Sequence, residues 1–119
     1  RAALPDTQIV AVCGDGSFQM SLMELATMRQ WNLPIKFVIM RNGYLGLVRE
    51  YQYHTYHDRY SGVSLDGSPD FEKIADAYGL DYFHLEHNDE MEQRIDEFLA
   101  CEHAAMMVCE VYSFDLVKE

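Results

Sequence analysis

The sequence predicts an α/β fold, an open and mainly parallel sheet of about four strands with helices on both faces. Three observations carry this reading. Apolar runs recur along the chain, helical periodicity fills the intervals between them, and the first and last runs are almost wholly apolar. A strand covered on both faces hides both sets of alternate side chains, so it reads as a continuous apolar run. Strand–helix–strand alternation then lays right-handed crossover helices against a parallel sheet.

The elements follow in order. QIVAVC (8–13) is the first strand, and Gly14-Asp15-Gly16-Ser17 comes directly after it. Ser21 and Glu24 stand at capping-box spacing, which predicts a helix over 22–30. Asn32 and Pro34 turn the chain into the second strand, IKFVIM (35–40). Ser68 is a candidate cap with Pro69 at the first helical position. Phe71, Ile74, Ala75 and Tyr78 then share one helical face, and Gly79 supplies the stop. DYFHLE (81–86) is the third strand. Asn88 is the candidate cap of a further helix, with Asp89 and Glu90 in its first turn and Met91, Ile95, Phe98 and Leu99 as its apolar face. AAMMVCEVY (104–112) is the last strand. Segment 41–67 is the exception: glycine-punctuated, aromatic, and longer than a plain connector, as functional loops are.

The whole chain, 1–119, reads as one domain without repeat or linker. A net charge of −11 argues against nucleic acid and against an anionic membrane surface as partners. An anionic small ligand would need local donors or a metal. No stretch approaches the ~18 uninterrupted apolar residues of a membrane span. Cys13, Cys101 and Cys109 show no CxxC spacing. Cys13 and Cys109 lie in apolar runs, as reduced buried thiols do, which predicts a reducing, cytoplasmic setting.

Asp15 is the residue that needs an explanation, because a charge at the end of an apolar strand is costly unless it holds something. In open parallel sheets ligands sit beyond the carboxyl ends of the strands. Gly14-Asp15-Gly16-Ser17 ends the first strand and Arg41-Asn42-Gly43-Tyr44 ends the second, so Asp15 and Asn42 face one crevice if those strands are neighbours. A hard cation accounts for the pair: Mg2+ takes oxygen ligands, here the Asp15 carboxylate, the Asn42 amide oxygen and a backbone carbonyl near Tyr44, with diphosphate oxygens and water completing the set. The glycines let backbone N–H groups approach phosphate, and Ser17 adds a hydroxyl. The alternatives are two ordinary turns, or the start of a GxGxxG dinucleotide loop whose third glycine position holds Gln19.

Gly14-Asp15-Gly16 and the Asn42 motif resemble the thiamine-diphosphate-binding motif of thiamine-diphosphate-dependent enzymes. Within that group GDGSFQMSLMELATMRQWNLPIKFVIMRNGYLGLVREYQ, DRYS (58–61) and PDFEKIADAYGL (69–80) are similar to the acetolactate synthase (acetohydroxyacid synthase) catalytic subunits, over about residues 5–112. The resemblance implies that Asp15, Asn42 and the Tyr44 carbonyl hold Mg2+. It implies that Gly14, Gly16 and Ser17 lie at the diphosphate, and that Leu45, Gly46 and Leu47 pass beside the cofactor. Leu47 and Tyr51 would shape the substrate channel, and no residue of this chain would be catalytic.

Three positions depart from the family pattern: Arg41 replaces the first asparagine of a pair, Leu47 a methionine, and Tyr51 a tryptophan. Glyoxylate carboligase is similar at YLGLVR too, although its first motif usually lacks the second glycine. The chain would then be the C-terminal part of an incomplete thiamine-diphosphate-binding domain. The rest of a homo-oligomeric enzyme acting on 2-keto acids, with its active site between subunits, would lie elsewhere, as would any FAD. The isolated piece would be inactive. A rival from another class is a non-catalytic phosphate- or nucleotide-binding module.

The remaining candidates read as structural. His54 and His57 stand three apart without further ligands at zinc-site spacing and read as helix or loop surface, while the resemblance implies a substrate-side role as the second choice. His84, His87 and His103 read as structural or solvated, and Cys13 as a packed thiol rather than a nucleophile.

Overall fold

The computed structural model describes residues 6–113, so residues 1–5 and 114–119 of the predicted 1–119 unit lie outside the described residues. In chain order the elements are β1 (Val10–Gly14), α1 (Asp15–Met20), α2 (Glu24–Gln30), β2 (Lys36–Arg41), α3 (Gly46–Tyr56) and α4 (Phe71–Tyr78). They continue with β3 (Asp81–Leu85), a 3-10 turn (Asn88–Glu90), α5 (Met91–Ala100) and β4 (Ala105–Glu110). The strands make one sheet, parallel throughout, in the order β1-β2-β4-β3. The parallel α/β sheet expected from the apolar runs is therefore what the chain builds.

The two faces of this sheet are covered unequally. On one face α1, α2 and α4 bring Phe18, Leu25, Met28, Phe71 and Ala75 against Ile39, Met106 and Val108. On the other, Phe98 of α5 packs on Leu85, Ala105, Met107 and Cys109. That helix serves the β3–β4 half; on the β1–β2 half Val10, Val12 and Met40 are exposed. Helices thus lie on both faces, but among the described residues the second face is only half covered. Lys36 is a buried exception in this core: its ammonium donates to the Cys101 carbonyl at 2.6 Å and lies 5.3 Å from the Phe98 ring centre. There it caps the negative end of α5.

Several helix starts differ from the sequence expectation, each for a local reason. The helix expected over 22–30 is α2, which starts only at Glu24, and the separate helix α1 precedes it where the sequence reading predicts none. Ser21 ends α1 by donating its amide to the Phe18 carbonyl at 3.0 Å, and its own carbonyl accepts the Glu24 amide at 3.0 Å. Its backbone is a joint between helices, and no side-chain cap bond forms at Met23. Asp70, not Ser68, caps α4 by accepting the Lys73 amide at 3.2 Å. Ser68 Oγ instead accepts from Gln19 Nε2 at 3.2 Å. Gly79 ends α4 as expected. Asn88 opens the 3-10 turn, which has no side-chain cap bond.

Segment 41–67 is only partly a loop, because it contains α3. The buried residue of this helix is Arg49. Its guanidinium lies 4.1 Å from the Tyr44 ring centre and 5.1 Å from that of Tyr60, and it donates to the Ser113 carbonyl. The helix therefore docks through a cation lying against two rings rather than through an apolar stripe. No helix among the described residues is long and apolar enough to cross a membrane.

Candidate cofactor-binding site

Because β1 and β2 are neighbours in register, with Gly14 opposite Met40, the chain segments leaving their carboxyl ends enter one crevice. Its cavity of about 390 Å³ is lined by Gly14, Asp15, Gly16, Ser17, Asn42, Tyr44, Leu45, Gly46 and Leu47, with Met40 and Val48 beside them. Residues separated in sequence thus share one wall. Tyr51 is outside this lining; it is exposed on α3, its ring centre 5.9 Å from that of Tyr56.

Asp15 is the first residue of α1 and is 1% exposed. One carboxylate oxygen accepts the Gly16 amide at 3.0 Å and the other accepts the Gly43 amide at 2.8 Å. These bonds tie the end of β1 to the end of β2. Among the described residues Asp15 makes no ion pair. A buried carboxylate without a cationic partner is expensive unless it is well hydrogen-bonded or binds a metal. An ionised carboxylate offers about four acceptor sites, so two N–H bonds leave capacity for a cation entering from the cavity. The donor set fits a hard divalent ion.

The rest of the crevice is organised around that carboxylate. Gly43 has φ +72, a left-handed conformation that glycine adopts without strain, and this turns its amide onto Asp15. Asn42 Oδ1 accepts the Tyr44 amide at 3.0 Å, which orients the side chain within its own turn. A strand-like bridge between Tyr44 and Ser64 braces the loop, with the Leu45 amide on the Val63 carbonyl and the Leu65 amide on the Gly43 carbonyl, each at 2.9 Å. Gly16 is glycine for a packing reason: a Cβ there would stand 2.8 Å from Leu45 Cδ2 and 3.3 Å from Leu65 Cδ1. Its amide points to Asp15, while Ser17 is exposed at the cavity.

Residues set aside in the sequence are accounted for. Arg41 turns away from the cavity and pairs with Glu110 at 3.2 Å, so it takes no part in the crevice lining. His84 Nε2 lies 3.1 Å from the same Glu110 oxygen. His54, His57 and His87 are exposed, and none of them belongs to a cluster of metal-ligating groups among the described residues. Burial raises the Cys13 thiol above its ordinary pKa, the opposite of an activated nucleophile. Sequence reasoning missed Arg49 and Gln19, which brace the crevice from behind. Gln19 Nε2 donates to the Asp15 carbonyl at 3.2 Å.

Residues 1–111 match the thiamine pyrophosphate enzyme C-terminal TPP-binding domain. The chain belongs to that family. Thiamine diphosphate (thiamine pyrophosphate) is accordingly the cofactor of this domain type. The chain is 37% identical over 112 residues to an acetolactate synthase of Arthrospira platensis, covering 93% of this chain and 19% of that protein. It is 39% identical over 99 residues to the acetolactate synthase isozyme 3 large subunit of Escherichia coli (strain K12), covering 83% of this chain and 17% of the relative. A probable acetolactate synthase large subunit of Methanococcus aeolicus is 32% identical over 107 residues, covering 90% and 18%. The chain thus spans less than a fifth of the length of these relatives.

Proposed function

We propose that this chain supplies the Mg2+–thiamine diphosphate anchor of an acetolactate synthase-like carboligase. Such an enzyme decarboxylates a 2-keto acid such as pyruvate and ligates the remainder to a second 2-keto acid. The observation that carries the reading is Asp15: buried, without an ion pair among the described residues, and lining the same cavity as Asn42. In this reading the Asp15 carboxylate, the Asn42 amide oxygen and the Tyr44 carbonyl hold Mg2+, leaving positions for diphosphate oxygens and water.

Bound there, thiamine diphosphate supplies the carbanion-stabilising chemistry. The chain's own residues bind and orient. The Gly16 and Gly43 amides fix the Asp15 carboxylate, and Leu45 and Leu47 give the cavity an apolar lining. Leu47 and Tyr51, both exposed on α3, flank the substrate's approach. No residue of this chain acts as general acid or base. We place the longer protein in the cytoplasm as a homo-oligomer; burial that raises the Cys13 and Cys109 thiols above their ordinary pKa suits packed, reduced cysteines, and the large-subunit names of relatives favour assembly of subunits in general.

The test is Asp15→Asn in the full-length enzyme. Replacing the carboxylate by a neutral amide is expected to weaken Mg2+-dependent thiamine diphosphate binding by at least about tenfold, because cation affinity follows ligand charge. Cofactor titration at fixed Mg2+ measures it, and an unchanged affinity refutes the assignment. Product analysis on a panel of 2-keto acids then separates an acetolactate synthase from a glyoxylate carboligase.

A further inference from the structure

A second convergence of donor groups stands at the amino end of the sheet, opposite the cofactor crevice. Asp81 opens β3, and the register Asp81↔Ala105 sets it beside the short link from α5 to β4. That link carries Cys101 and His103. Cys101 Sγ donates to Asp81 Oδ2 at 3.0 Å, and His103 Nδ1 lies 3.3 Å from the same oxygen. One ligand atom from each of the three residues lies within 4.8 Å of the others. We propose that Asp81 Oδ2, Cys101 Sγ and His103 Nδ1 form a site for a zinc-like divalent cation.

Thiolate sulfur, imidazole nitrogen and carboxylate oxygen are the ligand types zinc takes, and three protein ligands leave a fourth position for water. Tetrahedral zinc with bonds of roughly 2.0–2.3 Å holds its ligand atoms roughly 3.3–3.6 Å apart. The His103–Asp81 distance of 3.3 Å already meets that requirement, and the Cys101–Asp81 distance of 3.0 Å needs only a small opening. In the metal-free arrangement protons bridge the same atoms. Burial first, then the Asp81 hydrogen bond, raises the Cys101 thiol above its ordinary pKa, so cation binding must release that proton.

The charges are nearly balanced: a thiolate and a carboxylate offset a divalent ion. The Lys36 ammonium, held on the Cys101 carbonyl at 2.6 Å, opposes the ion but favours the thiolate. Asp81 and His103 are exposed, so an ion can enter from solution. The site would clamp the α5–β4 link to β3. It is independent of the crevice at Asp15, whose all-oxygen donor set selects hard cations.

The experiment uses the full-length protein with Co2+ as the probe. A thiolate-to-cobalt charge-transfer band with tetrahedral ligand-field bands is expected, lost on adding Zn2+ and absent in Cys101→Ser. His103→Gln should weaken Zn2+ binding, read by competition with a chromogenic chelator, by more than about tenfold. Unaltered protein gives a second readout free of folding effects: Zn2+ should slow alkylation of Cys101, mapped by mass spectrometry, by more than about tenfold. No charge-transfer band, a band that survives in Cys101→Ser, or alkylation unaffected by Zn2+ would each overturn the site and leave a hydrogen-bonded surface trio.

Discussion

At the carboxyl end of the sheet, Asp15 is buried and held by backbone amides from two segments, without an ion pair among the described residues. At the amino end, Asp81 is exposed and shares one oxygen between two neighbouring side chains. The first arrangement needs a long segment, 42–65, folded back and braced so that amides aim at one carboxylate. The second needs only the short turn between a helix and a strand. Charge that is buried and pre-oriented gives a ligand most of its binding energy from contacts the fold has already fixed. Charge in water is screened, so its interactions are weak whichever partners it has. Substitutions at the carboxyl end should therefore disturb much more than substitutions at the amino end.

Arg49→Ala is the harshest test of that difference. It removes a guanidinium lying over Tyr44 and Tyr60 and bonded to the Ser113 carbonyl. Losing a charged hydrogen bond and ring contacts at a buried position is expected to cost about 2–3 kcal/mol. Hydrogen exchange should report it as lost protection across α3, with the sheet amides little changed. Uniform loss over the whole chain would mean that α3 and the sheet unfold as one unit, and the carboxyl end would not be a separately braced layer.

Gly43→Ala is milder and more specific. No atom lies within 4 Å of the added Cβ, so the cost is the left-handed backbone alone, about 1–2 kcal/mol. Gly62, at φ +65 with equally open space, is the matched control. Both substitutions should lower the urea midpoint alike. In the full-length enzyme only Gly43→Ala should weaken Mg2+-dependent cofactor binding, because only its amide holds Asp15. Equal weakening by Gly62→Ala would make backbone strain, and not the Asp15 contact, the cause.

The sheet was readable because its signals are local. Val, Ile and Met runs mark β2 and β4, and Phe71, Ile74, Ala75 and Tyr78 with Gly79 mark α4. The approach of Asp15 to Asn42 was readable once β1 and β2 were taken as parallel neighbours, since both residues follow strand ends. What escaped depends on partners far away in sequence. The stripe of α3 carries Arg49 where an apolar residue would have shown the period. The helix also begins at Leu45 without a side-chain cap and ends at His57 with φ 51 in place of a glycine. Ser68 and Asp70 are both good capping residues, and Gln19, distant in sequence, engages Ser68 Oγ. Arg41 leaves the crevice because β4, its neighbour only in space, presents Glu110.

The smallest expected effect belongs to Asp81. Its carboxyl is held below its ordinary value of 3.8, chiefly by the Cys101 hydrogen bond and then by His103 and Lys36, against an opposing burial effect. A carboxyl whose folded pKa is lowered adds stability that is complete above its unfolded value and is lost as pH falls through the folded one. The stability difference between the unsubstituted chain and Asp81→Asn, measured by urea unfolding with a chelator present, should thus be present at about pH 5 and shrink below about pH 4. Solvent screening keeps it smaller than the Gly43→Ala effect. A difference that grew as pH fell below about 4 would reverse the sign of the Asp81 interaction. One as large as that of Arg49→Ala would show that the amino end holds its charge as firmly as the crevice does.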